Sequence, residues 1–184
     1  MPYILILGGG VVALLAYLFR LRPGTVTIED AGGGFVEDST VQKEQPRSDL
    51  PKGIRNNNPT NLRYVPTIVW IGQKGGDSGG YAIFDNAANG LRAGFINLHT
   101  GFNNYGTDTV RKIITRWAPH NENPTDAYVS YVAKTVGVSP DQRVSYSQYA
   151  RALIRAITQF ENGVTVEWFP TSVYDQAYAA AGRA

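Results

Sequence analysis

Apolar positions along this chain change their spacing several times, and each change predicts an element. From Tyr3 to Phe19 the run "YILILGGGVVALLAYLF" carries no charge, and at ~1.5 Å per helical residue it reaches roughly the thickness of a thin hydrocarbon core. "TVTIED" (Thr25 to Asp30) then alternates as a short strand does. "AGGGFVEDSTVQKEQPRSDLP" after it loses all periodicity, the composition of a tether. Further on, "TIVWIG" and "YAIFD" are β-prone runs on either side of the glycine-rich "QKGGDSGG", which predicts a small hairpin. From Asn86 the period becomes helical, with Leu91, Phe95, Leu98, Phe102 and Tyr105 on one stripe.

Start and stop signals divide the remainder into helices. Asp108 is placed to cap "DTVRKIITRW", whose apolar face is Val110, Ile113, Ile114 and Trp117. Asn123 followed by Pro124 opens a helix that runs to about Val136 and stops at Gly137. Ser139 and Pro140 repeat that start signal for one further turn. Ser145 with Gln148 three residues later forms a capping-box start for "YSQYARALIRAITQFENG", which Gly163 closes. "SVYDQAYAAAG" predicts a last helix by propensity. The expected organisation is a transmembrane anchor over 1–22, a tether with a short strand over 23–50, and a globular domain over 51–184 that is mainly α with one small β-hairpin.

The anchor is expected to be retained. A cleaved signal peptide has basic residues before its apolar run and a small-residue cleavage site after it, whereas Arg20 and Arg22 follow this run directly. Those arginines favour an outside N-terminus and an inside C-terminus. Gly8, Gly9 and Gly10 would each weaken a soluble helix by ~1 kcal/mol relative to alanine, but glycine is common in lipid-embedded helices.

Composition narrows the chemistry. The chain has 184 residues, enough for one domain with appendages, and no cysteine, so disulfides and thiolate metal sites are excluded. The formal net charge is +2 with its basic residues scattered, which does not predict a nucleic-acid partner. His99 and His120 lack a metal-ligand spacing, and no GxSxG elbow, P-loop or dinucleotide fingerprint is present, so neither a metal nor a cofactor is expected.

Carboxylate chemistry remains. Glu161 lies at the edge of the apolar face formed by Tyr149, Leu153, Ala156, Ile157 and Phe160, where partial desolvation would raise its pKa toward that of a general acid. The plainer alternative is a solvated glutamate in a last helical turn. Asn56, Asn57, Asn58 and Asn61 offer amides, Arg55 and Arg63 offer forks, and Tyr64, Trp70 and Trp117 offer flat faces, a mixture suited to sugars bearing acetamido groups. The same asparagines could equally hold local turns before proline. Glu122, just before Asn123, is a second acidic candidate, although most exposed glutamates are simply solvated.

Taken in order, "GIRNNNPTNLRY", Trp70 to Gly72 with "YAIFDNAANGLRA", "TVRKIITRWAPHNENPTDAYVSYVAKTVGV" and "ALIRAITQFENG" resemble a family of phage and prophage virion proteins. The likeness covers about residues 51 to 163, with Thr60 standing where that family usually has glycine. A weaker resemblance is to lysozyme-like peptidoglycan hydrolases and lytic transglycosylases, which place a catalytic glutamate at a helix end in an E-S-G or E-N-G context. Here the asparagine-rich stretch precedes the glutamate helix, as in a circular permutation of that fold.

These resemblances imply a lysozyme-like α+β domain in a membrane-associated virion protein that cleaves peptidoglycan. Glu161 would be its acid, and Asn56, Asn57, Asn61, Arg63, Tyr64, Trp117 and Glu122 would line the glycan site. Peptidoglycan, membrane and other virion proteins are the implied partners. The competing expectations are a non-catalytic virion structural protein and a glycan-binding module without turnover.

Overall fold

In the computed structural model the described residues are 49–118, 125–164 and 166–182. The anchor and nearly all of the tether lie outside them, as do Glu122 and the Asn123–Pro124 start signal. Among the described residues no helix is long and apolar enough to cross a membrane. The elements in chain order are α1 (Lys52–Arg55), β1 (Gln73–Gly76), β2 (Ala82–Phe84), α2 (Ala87–Tyr105), α3 (Val110–Trp117), α4 (Thr125–Val136), α5 (Tyr146–Asn162) and α6 (Thr171–Ala181).

Helix α5 is the axle of the core. Its Leu153, Ile154, Ala156 and Ile157 are fully buried, packed with Leu91 and Phe95 of α2, Val110 and Ile114 of α3, Tyr128 and Val132 of α4, and Tyr174 of α6. Each large aliphatic side chain buried in this way contributes about 1.5–3 kcal/mol. A smaller cluster of Leu62, Ala82, Phe84 and Ala93 lies under the hairpin, and Trp117 packs against both clusters. The predicted α2 stripe holds for Leu91, Phe95 and Leu98, whereas Tyr105 is 64% exposed and lies under the Arg116 guanidinium.

The hairpin exists, but its first strand differs from the expected one. β1 falls in the glycine-rich "QKGG" and pairs antiparallel with β2 through Gln73–Phe84, Gly75–Ile83 and Gly76–Ala82, with a bulge after Gln73. Tyr64 explains one of the glycines, since a Cβ on Gly76 would meet its ring at 2.6 Å, while Gly75 has φ +127. The turn is made by Asp77, whose Oδ1 accepts from the backbone of Gly79 and Tyr81. "TIVWIG" is not a strand: Pro66 stands immediately before it, Gly72 at its end has φ +75, and Val69 and Ile71 are exposed.

Two caps also differ. Thr109, not Asp108, caps α3 by accepting from the backbone of Lys112, while the Asp108 carboxylate pairs with the Lys112 and Arg143 side chains. Ser145 does precede α5, but its side chain makes no capping bond. Residues 139–142 form a turn rather than a helix, closed by a bond from Gln142 N to Ser139 O.

The other edge of β2 is occupied by the asparagine-rich segment. Ala82 N donates to Leu62 O and Phe84 N donates to Asn56 O, so the segment lies along the strand and is anchored by it.

Candidate active site

Each asparagine of the run performs a different task. Asn56 donates from Nδ2 to Asp77 Oδ2 at 2.7 Å, tying the loop to the hairpin turn. Asn57 has φ +52, a left-handed backbone that asparagine tolerates better than most residues, and its Nδ2 donates to Phe84 O and Asp85 O. Asn58 is wholly buried, donating to Leu62 O and Ala82 O and accepting from Leu62 N. Of these three side chains only that of Asn58 bonds locally, to Leu62, as well as to the hairpin; Asn56 and Asn57 tie the loop to the hairpin more than twenty residues away.

Asn61 is different. It is also left-handed, at φ +49, and its Nδ2 reaches across the domain to donate to Glu161 Oε2 at 2.8 Å. Thr60 before it is buried, with its side chain against Gly94 and its carbonyl accepting from Trp117 Nε1 at 3.2 Å. The left-handed positions fall on Asn57 and Asn61, so a threonine at 60 meets no backbone penalty.

The end of α5 locks this loop in place. Asn162 donates to Pro59 O at 2.6 Å and to Thr158 O at 2.8 Å. Gly53 of α1 lies against the same amides, and a Cβ there would fall 2.9 Å from Asn61 Oδ1 and closer still to Asn162 Oδ1. The helix then ends at Gly163, φ +130.

Immediately before Asn162, Glu161 is held from both sides. Its Oε1 accepts from the Tyr128 hydroxyl at 2.9 Å, and the Tyr128 ring is itself stacked on Phe160 with centroids 3.8 Å apart. Burial raises the pKa of Glu161 above the ordinary carboxylate value. Hydrogen bonds from Asn61 and Tyr128, and the charges of Arg63 and Lys52, pull it down without cancelling that effect. Burial, with the Glu161 charge beside it, pushes the Tyr128 phenol well up, so Tyr128 stays a donor. The carboxyl opens into a groove of about 250 Å³. The groove is lined by Asn61, Arg63, Val65, Ile68, Trp70 and Tyr81 from the loop and hairpin region and by Asn97 of α2 and Arg116 and Trp117 of α3. Arg63 and Lys52 both sit over the Tyr81 ring, 4.4 and 4.0 Å from its centroid.

Of the residues expected from sequence, Asn61, Arg63 and Trp117 line this groove together with Glu161. Asn56, Asn57 and Tyr64 do not; they hold the loop and cover the hairpin. Glu122 lies outside the described residues. Sequence reading missed Tyr128, Tyr81, Asn97 and Arg116. Among the described residues no cluster of three or more His, Asp or Glu side chains is placed to hold a metal ion.

The raised carboxyl has a cost in stability whose sign follows from proton linkage. Between the ordinary carboxylate value and the higher folded value, the folded chain holds more protons than the unfolded one, so stability falls as pH rises through that window. A Glu161→Gln chain removes that loss. Thermal melts should show it more stable than the parent at pH 7, with the advantage shrinking toward pH 4. A variant equally stable at both pH values would contradict a burial-raised carboxyl.

The chain is 34% identical over 119 residues to Protein P5 of Pseudoalteromonas phage PM2, an alignment covering 63% of this chain and 74% of that protein. No protein-family profile matches the chain.

Proposed function

As the chain belongs to the family of Protein P5 of Pseudoalteromonas phage PM2, we propose that it is a virion-associated, membrane-anchored enzyme that cleaves the glycan strands of peptidoglycan. The observation that carries this reading is the placement of Glu161: a carboxyl held by Tyr128 and Asn61 that lines a groove together with aromatic rings, amides and guanidinium groups. Such a surface suits acetamido sugars, because rings cover their apolar faces while amides and forks bond their hydroxyl and carbonyl groups.

The step proposed is general acid catalysis. Glu161 protonates the glycosidic oxygen, the C1–O bond breaks, and an oxocarbenium-like centre develops on the sugar. Glu161 is the single carboxylate among the described residues lining the groove, which favours capture of that centre by the sugar's own 6-hydroxyl over a water activated by a second carboxylate. Glu161, now ionised, takes up the hydroxyl proton. A glutamate at the end of a core helix beside a small hairpin also supports reading the domain as a permuted lysozyme-like fold.

Purified sacculi incubated with the full-length chain should release muropeptides with 1,6-anhydro ends. Reducing ends in their place would point to hydrolysis. Retention on sacculi without release would favour a binding module. The exposed apolar tip, with Val69 86% and Ile71 61% exposed beside the groove, suits the rival reading of a structural protein docked on a virion partner. Neither release nor retention would leave that reading ahead.

A further inference from the structure

A carboxyl group that works as an acid needs donors around it when ionised and an acceptor when protonated. The observed contacts of Glu161 meet only the first need, because Asn61 Nδ2 and the Tyr128 hydroxyl both donate to it. Close by are two buried amide oxygens with no hydrogen-bond partner, Asn61 Oδ1 and Asn162 Oδ1. Both border the small space left by the missing side chain of Gly53. Two acceptors facing one space cannot satisfy each other, and an unpaired buried acceptor is unfavourable. The O and N ends of an asparagine amide are nearly equal in size, so half a turn about its terminal bond exchanges their places.

We propose that the Asn61 amide turns over with the protonation of Glu161. In the ionised state Nδ2 donates to Oε2, as observed. In the protonated state Asn61 Oδ1 accepts the proton carried on Oε2, and Nδ2, turned into the space at Gly53, donates to Asn162 Oδ1. Both unpaired oxygens are thereby satisfied in the state that precedes catalysis. When Glu161 gives its proton to the glycosidic oxygen, Asn61 turns back to donate to the carboxylate. The left-handed backbone at Asn61 fixes the direction of its Cα–Cβ bond, so the amide can rotate without leaving the carboxyl. The other ionisable groups near Glu161 are Tyr128 on α4, Lys52 on α1 and Arg63 on the loop, with Arg116 of α3 and Tyr81 lining the same groove. Were Tyr128 to accept the proton instead, its own hydrogen would be redirected within a site where the residue is 1% exposed.

Asn61 is thus a positioning residue, and its role rests on the reading of Glu161 as the acid. The test follows the side-chain amide nitrogens of the full-length chain by NMR across pH, together with the carboxyl carbon of Glu161. The Asn61 Nδ2 resonance should move with the midpoint of the Glu161 carboxyl, and its proton contacts should pass from Glu161 to Gly53. Asn61→Gly, which tolerates φ +49, should lower cleavage roughly tenfold yet move the Glu161 midpoint by less than about half a pH unit, because the amide favours both states alike.

A fixed donor would behave otherwise: its removal should raise the midpoint by about one unit. That rise, or an Asn61 amide that ignores the titration, overturns the proposal. Failure of the underlying reading has a separate signature, a Glu161→Gln chain that still cleaves, and the NMR result stays interpretable in that case.

Discussion

A Glu161→Gln chain should lose glycan cleavage by about 10²- to 10⁴-fold, the usual contribution of a positioned general acid. Glutamine keeps the length and shape of the side chain and can still meet Asn61 and Tyr128, but it has no proton to give at neutral pH. The loss should therefore appear in kcat rather than in binding to sacculi. Release of muropeptides, measured beside retention on sacculi, separates the two. Full activity in the variant would remove Glu161 from the acid role even if the chain proved to be a peptidoglycan enzyme. The same substitution should stabilise the fold at neutral pH, a pairing of lost activity with gained stability expected where a carboxyl is held at a raised pKa for chemistry.

Gly90→Ala should be the most damaging methyl addition in the domain. Gly90 is buried on α2, and a Cβ there would overlap the Asn57 carbonyl oxygen. That oxygen belongs to backbone which cannot easily retreat, because Asn57 is held left-handed and its side chain bonds the carbonyls of Phe84 and Asp85 at the end of β2. Overpacking against fixed backbone costs about 3 kcal/mol, whereas the gain in helix propensity is only ~1 kcal/mol. A melting temperature lower by roughly 5–10 °C is expected. Because the displaced loop carries Asn61, cleavage should fall as well. A variant that melts at or above the parent would show that the loop is not clamped against α2 in the way described.

Much of the helical architecture was legible because its cause is local. The spacing of Leu91, Phe95 and Leu98, and of Leu153, Ala156 and Ile157, is set by the helix repeat, and these residues are buried as the pattern requires. The misplaced strand had a non-local cause. "TIVWIG" has the β-branched residues that suit a half-buried sheet, but β2 pairs with "QKGG", whose Gly76 lies against the Tyr64 ring where a Cβ would meet it at 2.6 Å.

The site divides in the same way. Glu161 could be found from its place at the edge of an apolar face. Which asparagine would face it could not, since Asn58 and Asn61 differ only in where a turn sends them, and the partner of Asn61 is 100 residues away. Tyr128 looked like one more aromatic on a helix, and its meaning comes from a glutamate on a different helix.

The bond from Asn162 to Pro59 closes a loop of 103 residues. Contacts so distant in sequence are slow to form, because chain entropy must be lost before they reward it. On a ribosome adding ~5–20 residues per second, the asparagine loop waits several seconds for the helix end that fixes it. Glu161 and the clasp Asn162 are adjacent residues at the end of α5, so they emerge from synthesis together. A truncated product ending before α5 thus carries the loop and hairpin but neither the clasp nor the carboxyl, and the groove acquires that carboxyl only when the domain is nearly whole.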